Sequence, residues 1–153
     1  KHYSYACGTN QGGVMSSTFN DVRAAIEGRI ATEMANSPAI QVAYTNVPFT
    51  PPNNSTWIKV QIRFGENAYA TLLGPTTGSN RQAGIVVIGI FSPIGVGTGD
   101  NFTLAERLKD LFDRKIVSQI IFDAADGPAI VEAGAPESFF QTELAITFNA
   151  FVQ

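Results

Sequence analysis

Residues Arg81–Phe91 read RQAGIVVIGIF and run straight into SPIGVGTGD at Ser92–Asp100. The first part is almost continuously apolar rather than alternating. That is the pattern of a strand covered on both faces. One cover is expected to be a helix, and the other a second sheet or another subunit. The glycine-rich turn that follows ends the strand. Asn101–Ile116 then repeats apolar residues at Leu104, Leu108, Leu111 and Phe112, the spacing of a helix, with Thr103 and Glu106 placed as its capping box.

Working outward toward the N-terminus, Trp57–Phe64 alternates. Ile58, Val60, Ile62 and Phe64 face one way, and Trp57, Lys59, Gln61 and Arg63 the other, which predicts a half-buried strand. Glu66–Leu73 extends it or begins another, and Gly74–Asn80 reads as a loop. Val47–Ser55, with three prolines and two adjacent asparagines, is a loop, and Ile40–Tyr44 is a short strand. Thr18–Ala35 predicts a helix. Thr18 and Asp21 form the capping pair, and Phe19, Val22, Ile26, Ile30 and Met34 form the buried face. Asn36-Ser37-Pro38 stops it. On the C-terminal side, Gln119–Asp123, Ala129–Glu132 and Thr142–Val152 are strand candidates. In the last, Leu144, Ile146, Phe148, Ala150 and Val152 share a face. This order predicts an α+β fold, a mainly antiparallel β-sheet with two helices packed on one face, as a single domain over residues 15–153. Residues 1–14 have no apolar period. They read as a tag or leader ahead of Met15, or as a genuine N-terminus, and are expected to be poorly ordered unless a partner holds them.

Composition narrows the function. The chain is 44% hydrophobic and 15% charged with a net charge of −3, and its ten basic residues are scattered. Ordinary nucleic-acid binding needs clustered Lys and Arg. No apolar run reaches the roughly 18 residues of a membrane span, so no membrane partner is expected. With one cysteine there is no internal disulfide framework, and the cytoplasm is the default location.

Chemistry is sparse. The single histidine and single cysteine are His2 and Cys7, both in the 1–14 segment. The remainder has neither the usual general base nor a thiol nucleophile, and two ligands do not make a zinc site. Asp123 and Asp126 flank a turn before Gly127-Pro128, with Glu132 and Glu137 following. Paired acids of this kind can bind Mg²⁺ or hydrolyse a glycoside, but Asp-Ala-Ala-Asp-Gly-Pro is first of all turn chemistry. Gly95–Asp100 precedes a helix where a phosphate could sit, yet it lacks both phosphate-loop spacings, and Asp100 would repel the ligand. No catalytic residue, metal or cofactor is expected. Surfaces are left. Arg81 is an inter-subunit salt bridge, a pore-lining group, or a solvated strand end. Trp57 is an interface anchor or a partly covered surface ring. Arg63, Ile85, Val87, Gly95, Gly97 and Gly99 complete the candidate contacts with a subunit or partner.

The capped first helix, the Pro-rich and alternating strands, Arg81-x-x-Gly84-Ile85-Val86-Val87-Ile88-Gly89-Ile90-Phe91-Ser92-Pro93, the glycines 95, 97 and 99, and the helix with Ala105, Leu108 and Phe112 together resemble the tail terminator-like proteins of long-tailed, non-contractile bacteriophages, the group that includes the lambda tail terminator. The resemblance spans about Ser17–Gln153. It implies a structural protein without enzymatic activity, located in the virion tail and assembled in the host cytoplasm. It implies a hexameric ring that caps the tail tube and offers the head-joining surface. Its partners would be its own copies, the major tail tube protein and a head-completion protein, with DNA only passing through. The alternatives are another phage head–tail connector or minor tail protein, and a small-molecule or nucleotide-binding domain using Gly95–Asp100.

Overall fold

A computed structural model describes residues 17–70, 78–131 and 138–152. The elements follow in the order α1 (Phe19–Met34), β1 (Gln41–Tyr44), β2 (Trp57–Tyr69), β3 (Asn80–Pro93), α2 (Gly99–Phe112), β4 (Ile116–Val117), β5 (Ile120–Val131) and β6 (Phe139–Val152). The strands form one six-stranded sheet in the order β1-β2-β3-β6-β5-β4. β1 runs parallel to β2 and every other pairing is antiparallel. This is the expected α+β architecture, with one parallel edge strand.

Both helices pack on one face of the sheet. Val22, Ile26, Ile30 and Met34 of α1 join Leu104, Ala105, Leu108 and Phe112 of α2 over the inward residues of β2, β3, β5 and β6 in a single cluster. Each large side chain fully buried here contributes about 1.5–3 kcal/mol of transfer free energy. The strand Arg81–Phe91 holds the centre of the sheet, where Val86, Ile88 and Ile90 are fully buried against the helices. Among the described residues its other face is covered only at one end. There Trp57, Phe91, Phe139 and Ala43, with Phe49, form a second and smaller cluster. Part of that cover comes from this chain's own aromatic rings.

α1 begins as its sequence requires. The Thr18 hydroxyl accepts from Asp21 N–H, and the Asp21 carboxylate accepts from Thr18 N–H. α2 corrects the expectation. It starts at Gly99 with Thr98 as N-cap, and no side chain caps it. Thr103 therefore lies inside the helix. The cause is Asn101, fully buried, whose Nδ2 donates to Ile90 O at 3.2 Å and to Thr142 Oγ1 at 3.1 Å. This tie draws the first turn onto β3 and β6 and starts the helix earlier. α2 also stops earlier, because Asp113 leaves helical geometry and its carboxylate accepts from Ala125 N–H at 2.9 Å.

One strand takes the longer of its two expected forms, and another pair merges. β2 continues past Phe64 to Tyr69 through an irregularity between Phe64 and Asn67. Buried Gln82 plugs it, donating to Gly65 O at 2.8 Å and to Ala83 O at 2.9 Å. Residues 120–131 form one strand rather than two with a turn between. Asp123–Pro128 is absorbed by irregularities between Phe122 and Ala125 and between Asp126 and Ala129. The unbroken partner β6 holds both halves in line. Residues 1–14, with His2 and Cys7, lie outside the described residues, as do Glu132, Glu137 and most of the expected 74–80 loop.

Candidate assembly surfaces

At one end of the sheet β3 passes into α2 through Ile94–Thr98. Gly95 and Gly97 sit at φ +90° and +82°, the left-handed region that side chains disfavour. The bend they permit leaves Ile94 64% and Val96 58% exposed. Gly99 is already the first residue of α2. A groove of about 690 Å³ separates this loop from the ends of β5 and β6, lined by Ile94, Gly97, Ile130, Phe139 and Phe140 among others. A second, of about 590 Å³, runs along its other side between Ile40, Pro93, Val96, Leu104 and Arg107. Ile130 is also largely exposed. Exposed apolar residues gathered around grooves are the kind of surface on which partners or ligands dock.

The face of the sheet away from the helices is the second surface. Ile85 and Val87 are half-buried along its centre, flanked in register by Arg63 and Gln61 on β2 and by Thr147 and Ala145 on β6. Arg63 and Arg81 are exposed, and Arg81 starts this face near the opposite end from the glycine loop. Trp57 differs from both readings of it. It is only 4% exposed, stacked on Phe91 at 4.1 Å and edge-on to Phe139 at 5.6 Å. Its indole Nε1 has no hydrogen-bond partner among the described residues. The structure thus groups Arg63, Arg81, Ile85 and Val87 on one face, places Gly95 and Gly97 in the end loop, and encloses Trp57. Ile94, Val96 and Ile130 were missed by reading the sequence. Isoleucine and valine alternating with glycines after Pro93, where a solvated turn would carry polar residues, are the signal that could have found two of them.

Of the candidate carboxylates, Asp123 and Asp126 lie among the described residues. Asp123 accepts from the Thr147 hydroxyl at 2.7 Å, while Asp126 lies exposed at the second irregularity of β5. Among the described residues no group of three or more His, Cys, Asp or Glu side chains could hold a metal ion. The first turn of α2 carries Asp100, and no Lys or Arg occurs between Ser92 and Asp100 to attract a phosphate. No described helix is long and apolar enough to cross a membrane.

A family model described as phage tail terminator protein matches residues 21–121, from the first turn of α1 into β5. No curated protein matches the chain. Among solved structures, one that is 21% identical superposes with a TM-score of 0.62, covering 84% of this chain and 92% of its own. That likeness supports the fold.

Proposed function

The chain belongs to the phage tail terminator protein family, and from that premise we propose that it caps the tail tube as a ring of its own copies and presents the surface that joins the head. As a member of this family it is a structural protein of the phage tail. The family match carries the proposal, because it spans both helices, the central strand and the glycine loop. The exposed Ile94 and Val96 support it. An apolar loop at one end of a rigid sheet suits docking onto the end of a tube, and a contact that repeats head to tail closes into a ring when the rotation allows. In this reading the partners are further copies, the tail tube protein and a head-completion protein, with a hexamer the expected ring and DNA passing through it.

The test is co-assembly of the full chain with its tail tube protein, followed by electron microscopy. Tubes of limited length with a ring at one end are the expected result. An unchanged length distribution without terminal rings overturns the proposal, and binding along the tube walls points to another minor tail role. Millimolar nucleotide with Mg²⁺ is expected to leave the melting temperature unchanged. A rise would favour ligand binding at Gly95–Asp100 instead.

A further inference from the structure

The open face of the sheet is divided by charge. Lys59, Arg63 and Arg81 stand on β2 and at the start of β3. Glu143 stands on β6, and Asp123 and Asp126 on β5. Among the described residues none of the six forms an ion pair. Arg63 and Asp126 cannot meet within one chain. β3 and β6 lie between their strands, so the two are roughly 14 Å apart at about 4.8 Å per strand spacing. Two residues run against the division: Glu66, beyond the irregularity in β2, and Arg114, whose N–H bonds Asp123 O beside β5.

The short edge strands β1 and β4 leave parts of β2 and β5 as further free edge. β1 pairs with β2 only from Trp57 to Val60, so among the described residues Gln61–Tyr69 has no strand on its outer side. β4 pairs only with Ile120 and Ile121 of β5, and the Arg114 amide and Asp113 carboxylate cover the edge as far as Ala125. Among the described residues Asp126–Val131 therefore has no strand on its outer side. β2 and β5 run in opposite directions, because three antiparallel pairings separate them. A β2 edge set beside the β5 edge of another copy would thus continue the sheet in antiparallel sense.

We infer that copies of this chain join head to tail through these edges, the Arg63 side of one against the Asp126 side of the next. The inference rests on the ring reading above and names the contact that builds the ring. Each added copy leaves one Arg63 edge and one Asp126 edge free, so the contact is heterologous and closes by rotation. Cross-strand opposite charges favour the pairing. The irregularities and Pro128 in β5 keep this edge from templating a long, indiscriminate ladder, which leaves charge to select the partner. The edges then lie between copies and the open face lies along one side of the ring.

Sedimentation velocity of the full chain up to millimolar concentration, at low and high salt, tests this. Salt-sensitive species larger than a dimer are expected. Arg63→Glu and Asp126→Lys should each weaken association about tenfold or more, and a 1:1 mixture of the two should restore it, because alternating copies pair opposite charges at every contact. Circular dichroism confirms that both variants fold, as expected of exposed positions. A monomer at all concentrations, a species that stops at a dimer, or indifference to both reversals overturns the inference. Tubes still capped normally by both variants would remove this contact while leaving the tail terminator reading in place.

Discussion

Arg107 Nε donates to Glu33 Oε1 at 2.7 Å, tying α2 to the last turn of α1. The same guanidinium also donates to the carbonyls of Glu33, Asn36 and Pro38. It therefore braces the turn that follows α1, sharing the Glu33 carbonyl with the Asn36 N–H, and sets a positive charge at the negative end of the helix dipole. Arg107→Ala is expected to cost about 1–3 kcal/mol in urea unfolding, and Arg107→Lys to recover only part of it, since one ammonium cannot reach the same spread of acceptors.

This contact also sets a pH dependence. The hydrogen bond from Arg107 holds the Glu33 carboxyl below its ordinary value of 4.5. A carboxyl with a depressed folded-state pKa contributes stability that is complete above its unfolded value and is lost as pH falls through the folded one. Stability is thus expected to decline from about pH 4.5 downward, and Glu33→Gln should flatten that part of the curve. Urea midpoints between pH 6 and pH 3, roughly the range spanning carboxyl titration, check this. An unchanged slope in Glu33→Gln would show that other carboxyls govern acid unfolding.

Gly84 and Phe148 make a second pair with a directional prediction. A Cβ on Gly84 would lie 2.2 Å from Phe148 Cζ, and Phe148 is 1% exposed between Phe64 and Phe122. The ring lies across the glycine. Gly84→Ala must displace it, at a cost of about 1–3 kcal/mol for overpacking. Phe148→Leu is destabilising alone because it leaves a cavity. Combined with Gly84→Ala it is expected to cost less than the sum, a coupling that a double-mutant cycle in thermal unfolding measures.

Gln82 predicts where local order depends on one side chain. Its amide satisfies the carbonyls at the irregularity in β2 from a position only 2% exposed. Gln82→Leu leaves those carbonyls without their donor, at about 1–3 kcal/mol. Amide exchange should accelerate chiefly over Gly65–Tyr69, with Ile58–Ile62 protected as before. Uniform acceleration along β2 would mean that the strand opens as one unit.

Periodicity carried most of the fold, because α1, β2 and β6 bury a regular stripe that their own spacing announces, while β3 is marked by its continuous apolar run. It failed where long-range contacts decide. Phe19 has the spacing of a core residue but is 54% exposed, resting on the edge of Phe64 at 4.8 Å where the first turn overhangs the sheet. Thr103 and Glu106 have capping-box spacing, yet Asn101 starts the helix earlier through contacts with Ile90 and Thr142. Asp123–Pro128 has turn composition, yet β6 keeps it extended. Alternation put Trp57 on the correct face. Only the distant Phe49 and Phe139 determine that this end of the face is covered. For the same reason the charge division of the open face was not legible: Arg63 and Asp126 come into relation only once the strand order is known.

The end loop gives the prediction that separates function from folding. Ile94 and Val96 project from a bend made by two left-handed glycines, and their side chains contribute little to the core. Ile94→Asp with Val96→Asp should therefore change stability by no more than about 0.5 kcal/mol per site, as for most exposed positions. If this loop docks on the tube, the double variant should fold and self-associate like the parent yet fail to limit tube length. Melting temperature, sedimentation and tube-length distribution read these three properties separately. Loss of self-association would instead place the loop between copies, and normal tube lengths would remove it from the docking surface. Gly95→Ala with Gly97→Ala acts on the same loop through its backbone. It strains both left-handed positions, so it should lower stability as well as capping, whereas the aspartate pair should lower capping alone.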